Sequence, residues 1–176
     1  MTNATIPANV DGETIRFATG PCSLGLILAA MSNDGLCAVL FGDESNQLVR
    51  DLRDRFPHAN LIEGGHEASQ VLAQIAGFIE KPTQGLNLSL DPRGTPFQQC
   101  VWKALRDVPT GATVSYGEIA KRIGQPSGAK EVAEACAANA IAVAIPCHRV
   151  VKADGSISGY RWGVARKRAL LAREAA

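Results

Sequence analysis

Ser115-Tyr116-Gly117-Glu118-Ile119-Ala120, followed by Gln125-Pro126-Ser127-Gly128-Ala129-Lys130-Glu131-Val132-Ala133-Glu134-Ala135-Cys136-Ala137-Ala138-Asn139, decides the fold of the second half of this chain. Ser115 with a glutamate three residues on is a capping box, so a helix opens there and runs through Ile119, Ala120 and Ile123 to Gly124. The Gln125–Gly128 segment is a turn. A second helix then spans residues 129–138, with Ala129, Val132, Ala133, Cys136 and Ala137 at the i, i+3, i+4, i+7, i+8 spacing of an inward face. Helix, short turn and small-residue helix make a helix-turn-helix layout, a pattern that other helical hairpins share. Upstream, Thr95-Pro96-Phe97-Gln98 is another capping box, with proline at the first helical position. Phe97, Val101, Trp102 and Leu105 form the buried stripe of that helix. Downstream, Asn139 ends the second helix, and apolar residues 141–145 lead into Pro146-Cys147-His148-Arg149-Val150. A polar turn at 152–156, a glycine-punctuated loop at 158–163 and a basic helix over 164–173 complete the half.

The first half reads as α/β. Residues 14–18, 23–30 and 36–41 have strand character, and Asn33-Asp34-Gly35 supplies a hairpin turn. Leu48, Leu52 and Phe56 are spaced four apart, which predicts a helix over 44–56 that Pro57 ends. Val71, Leu72, Ile75, Phe78 and Ile79 mark a second helix over 67–80, and residues 87–90 have the character of a further strand. His58 and His66 stand alone and are expected on loops or the surface. Asp91-Pro92-Arg93-Gly94 reads as a joint, giving a domain of residues 1–90 and another of 91–176.

The chain has 176 residues, 46% of them hydrophobic and 20% charged, ordinary proportions for a globular protein. No apolar run is long enough to span a bilayer, and residues 1–12 are polar without a basic start, so neither a membrane span nor secretion is expected. The five cysteines are odd in number and form no C-x-x-C pair. That argues for a reducing cytoplasm, against a disulfide framework and against a zinc site. Cys22, Cys37, Cys100 and Cys136 are expected to be buried as small apolar residues. A net charge of +1 hides a segregation: residues 1–90 carry five basic and ten acidic side chains, residues 91–176 thirteen and seven. The second half therefore either meets a polyanion or carries solvated charge distributed by chance.

The chemistry sits at Cys147-His148. A thiol is a nucleophile only as the thiolate, and a free cysteine titrates near ~8.5, so it needs a base or positive surroundings at neutral pH. His148 is a candidate base acting through a water, and Glu174 is a candidate to orient the imidazole. The residues alone leave a second reading open, a buried structural cysteine beside a capping histidine.

Pro146-Cys147-His148-Arg149-Val150, preceded by Asn139 and followed by Ser158-Gly159-Tyr160-Arg161-Trp162-Gly163, resembles the O6-alkylguanine-DNA alkyltransferase family in its bacterial, Ada-type branch. The likeness extends through residues 94–99, Val101-Trp102, Val114-Ser115-Tyr116 and residues 135–139, and so covers nearly the whole chain. It implies an N-terminal α/β domain with a small antiparallel, RNase H-like sheet, and a mostly α C-terminal domain with a winged-helix-like helix-turn-helix. It implies DNA repair by direct reversal. Duplex DNA carrying O6-alkylguanine is bound, the damaged base is turned out of the stack, and Cys147 takes the alkyl group once and keeps it. Methylguanine and methylthymine both remain open as substrates. The resemblance implies no metal, no organic cofactor and no obligatory protein partner, with the chain acting as a monomer. It makes Cys147 the acceptor, His148 its base, Glu174 the acid holding the histidine and Tyr116 the phenol that meets the flipped nucleotide. Ala129, Lys130 and Ala133 then lie on the DNA-reading helix, and Asn139 is the hinge to the active-site turn. Val150, Ser158, Gly159, Tyr160 and Arg161 form the wall of the base pocket, although Tyr160 also fits a packed aromatic. Arg149 fits an ion pair better than catalysis. The alternative of another class is a non-catalytic lesion-binding module, which lacks the acceptor cysteine that is present here.

Two departures from the family pattern bear on function. Arg161 and Trp162 stand where mammalian relatives carry small residues, and Ala142 where they carry proline, so a tight pocket that favours methyl over benzyl groups is expected. Lys130 stands where the family commonly carries the arginine that fills the gap left by the flipped base, and lysine lacks the planar guanidinium that stacks. Glu131 and Glu134 also lie on that helix, where carboxylates either oppose phosphate or point sideways and pair with Lys130 or Arg122. Charge-neutral replacement of Glu131 and Glu134 by glutamine should therefore tighten binding to lesion-bearing duplex in a salt titration; unchanged or weaker binding would refute this.

Overall fold

The computed structural model describes residues 12–176. The polar start read against secretion lies, but for Gly12, outside the described residues. Three strands open the fold: β1 (Thr14–Cys22), β2 (Gly25–Ser32) and β3 (Gly35–Gly42). They form two antiparallel pairs, with Asn33-Asp34 turning β2 into β3. Helix α1 (Ser45–Arg55) follows, burying Leu48 and Leu52 against β2 and β3, with Phe56 buried at its end. A fourth strand, β4 (Asn60–Glu63), pairs parallel to β1 and gives the order β3-β2-β1-β4. The sheet is therefore mixed, not antiparallel. The sequence hid β4 because it is a short edge strand with one half-buried side chain, Leu61, and so lacks an alternating pattern. Helix α2 (His66–Glu80) packs on β1 and β2 through Val71, Ile75, Phe78 and Ile79. His58 and His66 are exposed, as expected.

No strand forms over residues 87–90. Only Leu90 pairs, in a single parallel bridge to Leu36, fixed by the Leu36 amide on Ser89 and the Asp91 amide on Leu36. Around the joint, Arg93 donates a bidentate pair to Glu13 at 2.7 and 2.6 Å and reaches Asp91 at 2.9 Å.

The second half is helical. Helix α3 (Pro96–Arg106) starts with the full reciprocal box: Gln98 N donates to Thr95 Oγ1 at 3.1 Å, and Thr95 N to Gln98 Oε1 at 3.0 Å. Helix α4 (Tyr116–Arg122) is capped by Ser115, whose Oγ accepts from the Glu118 amide. Helix α5 (Ala129–Ala137) packs on α3 and α4. Its buried stripe is Val132, Ala135 and Cys136, which corrects the inward set read from the sequence. Ala129 and Ala133 are half-buried and Ala137 is exposed, so the true face is rotated by about one residue. Alanine fits either side of a helix, so its spacing could not fix the rotation. Trp102 locks α3 to α5 by donating its indole N–H to Ala135 O at 2.9 Å, a buried bond whose loss would leave a carbonyl unsatisfied at a cost of about 1–3 kcal/mol.

After α5, the chain passes through a turn, a one-turn 3-10 helix (Cys147–Arg149) and β6 (Val150–Val151), which pairs parallel to β5 (Val114–Ser115). Helix α6 (Val164–Ala175) closes the chain. Strand β3 is buried along nearly its whole length because the second half covers it. Val39 pairs with Ile141, and one hydrophobic core runs through both halves. Among the described residues, no helix is long and apolar enough to cross a membrane.

Candidate active site

Cys147 opens the 3-10 turn and is 4% exposed. Asn139, fully buried just beyond α5, holds it: Nδ2 donates to Cys147 Sγ at 3.3 Å and to Ile145 O at 3.0 Å, and Oδ1 accepts from the Ile141 amide at 2.9 Å. One side chain thus ties both ends of the 141–145 turn to the sulfur. Inside this turn Val143 has φ +60°. A β-branched residue there is strained, by on the order of 1–3 kcal/mol, and persists only when its surroundings over-determine it. Those surroundings are the Val39 amide on Ala140 O, the Ala142 amide on Val39 O and the Ile145 amide on Ile141 O. Burial pushes the Cys147 thiol pKa up, while the Asn139 bond and the Lys167 charge pull it back.

His148 is fully buried, with Nε2 2.7 Å from Glu174 Oε2. Its Nδ1 is buried and takes no hydrogen bond from the described residues. Burial lowers the imidazole pKa against the pull of Glu174, which favours the neutral ring. Next to a carboxylate the proton belongs on Nε2, which leaves Nδ1 an acceptor. Glu174 also takes both arms of Arg149, Nε to Oε1 and Nη2 to Oε2, each at 2.9 Å. Burial pushes this carboxyl up, but the hydrogen bonds from His148 and Arg149 outweigh it and hold it at about 2. Arg149 also donates from Nη1 to Val108 O and from Nη2 to Thr110 Oγ1. It is the ion-pair residue the sequence suggested.

The sulfur lines a cavity of about 550 Å³ together with Tyr116, Ala133, Cys136, Ser158, Tyr160 and Arg161. Tyr116 OH is hydrogen-bonded to Ser158 Oγ, and Lys167 Nζ donates to the same oxygen at 2.9 Å and to Gly159 O at 3.2 Å. Lys167 is 1% exposed, and burial lowers its pKa while the two cavity thiols favour its charged form. The sequence reading missed this lysine. Its signal was the spacing Lys167, Leu170, Glu174, which puts two opposite charges on the buried stripe of α6. Tyr160 is both a packed aromatic, edge-on to Trp162 at 5.3 Å, and part of the cavity wall, with a buried hydroxyl that has no partner.

The remaining expected residues fall around this centre. Gly159 and Lys152 also border the cavity. Val150 is fully buried and pairs with Val114, supporting the turn from behind. Ala129 and Lys130 lie on the first turn of α5, away from the cavity lining, with Lys130, Glu131 and Glu134 exposed. Of the four cysteines expected as buried filler, Cys37 and Cys136 are buried, Cys22 is half-buried and Cys100 is exposed. Cys100 is on the outer side of α3, opposite Val101, Trp102 and Leu105. Among the described residues, no three His, Cys, Asp or Glu side chains come together as a metal ion would need.

A family model described as 6-O-methylguanine DNA methyltransferase, DNA binding domain, matches residues 96–176. The chain is 47% identical over 161 residues to the bifunctional transcriptional activator/DNA repair enzyme Ada of Escherichia coli, covering 92% of this chain and 46% of that relative. It therefore spans about half the length of that protein. It is 45% identical over 160 residues to the methylated-DNA–protein-cysteine methyltransferase of Mycolicibacterium paratuberculosis, covering 91% of this chain and 92% of that one. Among solved structures, Mycobacterium tuberculosis OGT in complex with DNA superposes with a TM-score of 0.76 at 35% identity, over 91% of this chain and 92% of the other. A relative matched over nearly its full length at this identity identifies the chain as a member of the O6-alkylguanine-DNA alkyltransferase, or methylated-DNA–protein-cysteine methyltransferase, family.

Proposed function

We propose that this chain repairs alkylated DNA by direct reversal, moving one methyl or other alkyl group from O6 of guanine, or O4 of thymine, onto Cys147. The observation that carries this reading is the Cys147 thiol, held by Asn139 in the wall of a 550 Å³ cavity and followed by a histidine backed by a carboxylate. A volume in the range of ~300–1,000 Å³ is typical of small-molecule sites, and an extruded base is such a ligand. The partner is duplex DNA. Helices α4 and α5 act as the helix-turn-helix, the β5–β6 pair serves as the wing, and α5 presents Ala129, Lys130 and Ala133 to the duplex. The first half, residues 1–90, has an RNase H-like character in its β3-β2-β1-β4 order with β4 parallel to β1, and it acts as support for the chemistry of residues 91–176. Five free cysteines suit a reducing cytoplasm.

The chemistry balances on groups of this chain. The Cys147 proton leaves through a bridging water to His148 Nδ1, and Glu174 stabilises the imidazolium that results. The thiolate attacks the alkyl carbon, the carbon–oxygen bond breaks, and its electron pair stays with the guanine. Tyr116, held by Ser158 and indirectly by Lys167, is the acid beside that leaving base. Flipping costs a few kcal/mol and is easiest for a weakly paired lesion. The thioether is stable, so each molecule acts once.

Intact-mass analysis after mixing with O6-methylguanine duplex should show a gain of one methyl group, mapping to Cys147 and absent from Cys147→Ser. A methyl on another residue, or demethylation by Cys147→Ser, would overturn the reading. Glu174→Gln should slow transfer and cost roughly 3–5 kcal/mol at pH 7, because it leaves Arg149 without its counter-charge in a buried site. The carboxyl is depressed from 4.5 to about 2 in the fold, so its contribution is complete above pH 4.5 and fades as pH falls towards 2. The stability gap between wild type and Glu174→Gln in urea should close over that interval; a gap independent of pH would contradict the pairing.

A further inference from the structure

We propose that Arg161 is a positioning residue for Cys147, acting through Asn139 and anchoring the sulfur's support to the first half of the chain. This deepens the proposed function and shares its acceptor. Arg161 Nη1 donates to the Asn139 carbonyl at 2.9 Å. The side chain of the same Asn139 donates to Cys147 Sγ at 3.3 Å. The guanidinium therefore grips the backbone of the residue that grips the sulfur. Without it, the hinge carbonyl just beyond α5 loses that partner, and the asparagine gains rotational play.

Arg161 is itself fixed on two sides. Its guanidinium lies over the Trp162 ring at 5.3 Å, and Trp162 packs edge-on against Phe41 of β3 at 6.2 Å. On its other side Arg161 borders a surface groove of about 250 Å³ with Asp51, Asp54 and Arg55 of α1. The charged groups facing it are thus two carboxylates and a guanidinium from α1, with Asp51 favouring its charge, and the Cys147 thiol from the cavity side. Burial opposes the Arg161 charge, and Asp51 and a Cys147 thiolate offset that. Phe41, which backs Trp162, and the acidic neighbours belong to the first half. Arg161 is thereby the side chain through which a sheet and a helix remote from the chemistry hold the acceptor in place.

The test uses Arg161→Met, which keeps the alkyl stem over Trp162 and removes the donor, and Arg161→Lys, which keeps one donor. Reaction of Cys147 with iodoacetamide is followed against pH by peptide mass, without DNA. Single-turnover transfer from O6-methylguanine duplex is followed against DNA concentration. Arg161→Met should raise the pH midpoint of Cys147 labelling and slow transfer at saturating DNA by about fivefold, the worth of one hydrogen bond. Arg161→Lys should recover most of both losses. A wild-type midpoint and rate in Arg161→Met would overturn the proposal. So would a loss confined to half-saturating DNA, which would make Arg161 a DNA contact, and so would Arg161→Lys as impaired as Arg161→Met. A shifted labelling midpoint in a protein whose wild type transfers no methyl would sink the repair reading and leave the positioning role standing.

Discussion

A sulfur that is buried and must still ionise is the constraint around which this fold is arranged. Burial alone raises the Cys147 pKa and would leave an inert thiol. The offsetting groups are few: the Asn139 amide and the Lys167 and Arg161 charges pull the pKa back, and His148 is the proposed base. Each is itself held by a second contact. Lys167 is held by Ser158 and Gly159, His148 by Glu174, and Glu174 by Arg149. The result is a thiol whose surroundings are fixed by geometry, with the cavity open beside it.

The first half has no catalytic side chain in this scheme, yet the site depends on it. Val39 of β3 pairs with the segment that carries the strained Val143, and Phe41 of the same strand packs on Trp162, which contacts Tyr160 and Arg161 of the cavity wall. The turn can hold a β-branched residue at positive φ because β3 clamps its first residues. The sheet is therefore the rigid backing of the acceptor turn, and the continuous core between the halves makes that backing stiff.

Much of this was legible in the residues. The capping boxes at Thr95 and Ser115 marked two helix starts because a cap is a local interaction with a local signature. The motif points to Cys147 and His148, and the resemblance adds Tyr116, Asn139 and Glu174; Asn139 bonds the sulfur, Glu174 bonds His148 and Tyr116 lines the same cavity. What stayed hidden depends on tertiary context. Strand β4 is too short and exposed to show a pattern. The rotation of α5 is invisible when alanine occupies both faces. The sequence shows Lys167 only as part of a basic helix, although its register with Glu174 places both on the inner stripe. Arg161 was expected as pocket wall, and its bond to the Asn139 carbonyl is set by a loop path that no periodicity encodes.

The most direct measurement is a structure of the Cys147→Ser protein bound to duplex DNA carrying O6-methylguanine. The lesion should be rotated out of the helix into the Tyr116–Tyr160 cavity, with its methyl carbon facing the residue 147 oxygen along the line of the carbon–oxygen bond to be broken. A lesion still stacked in the duplex, or one seated with its methyl turned away from residue 147, would contradict the assignment of that sulfur as the acceptor.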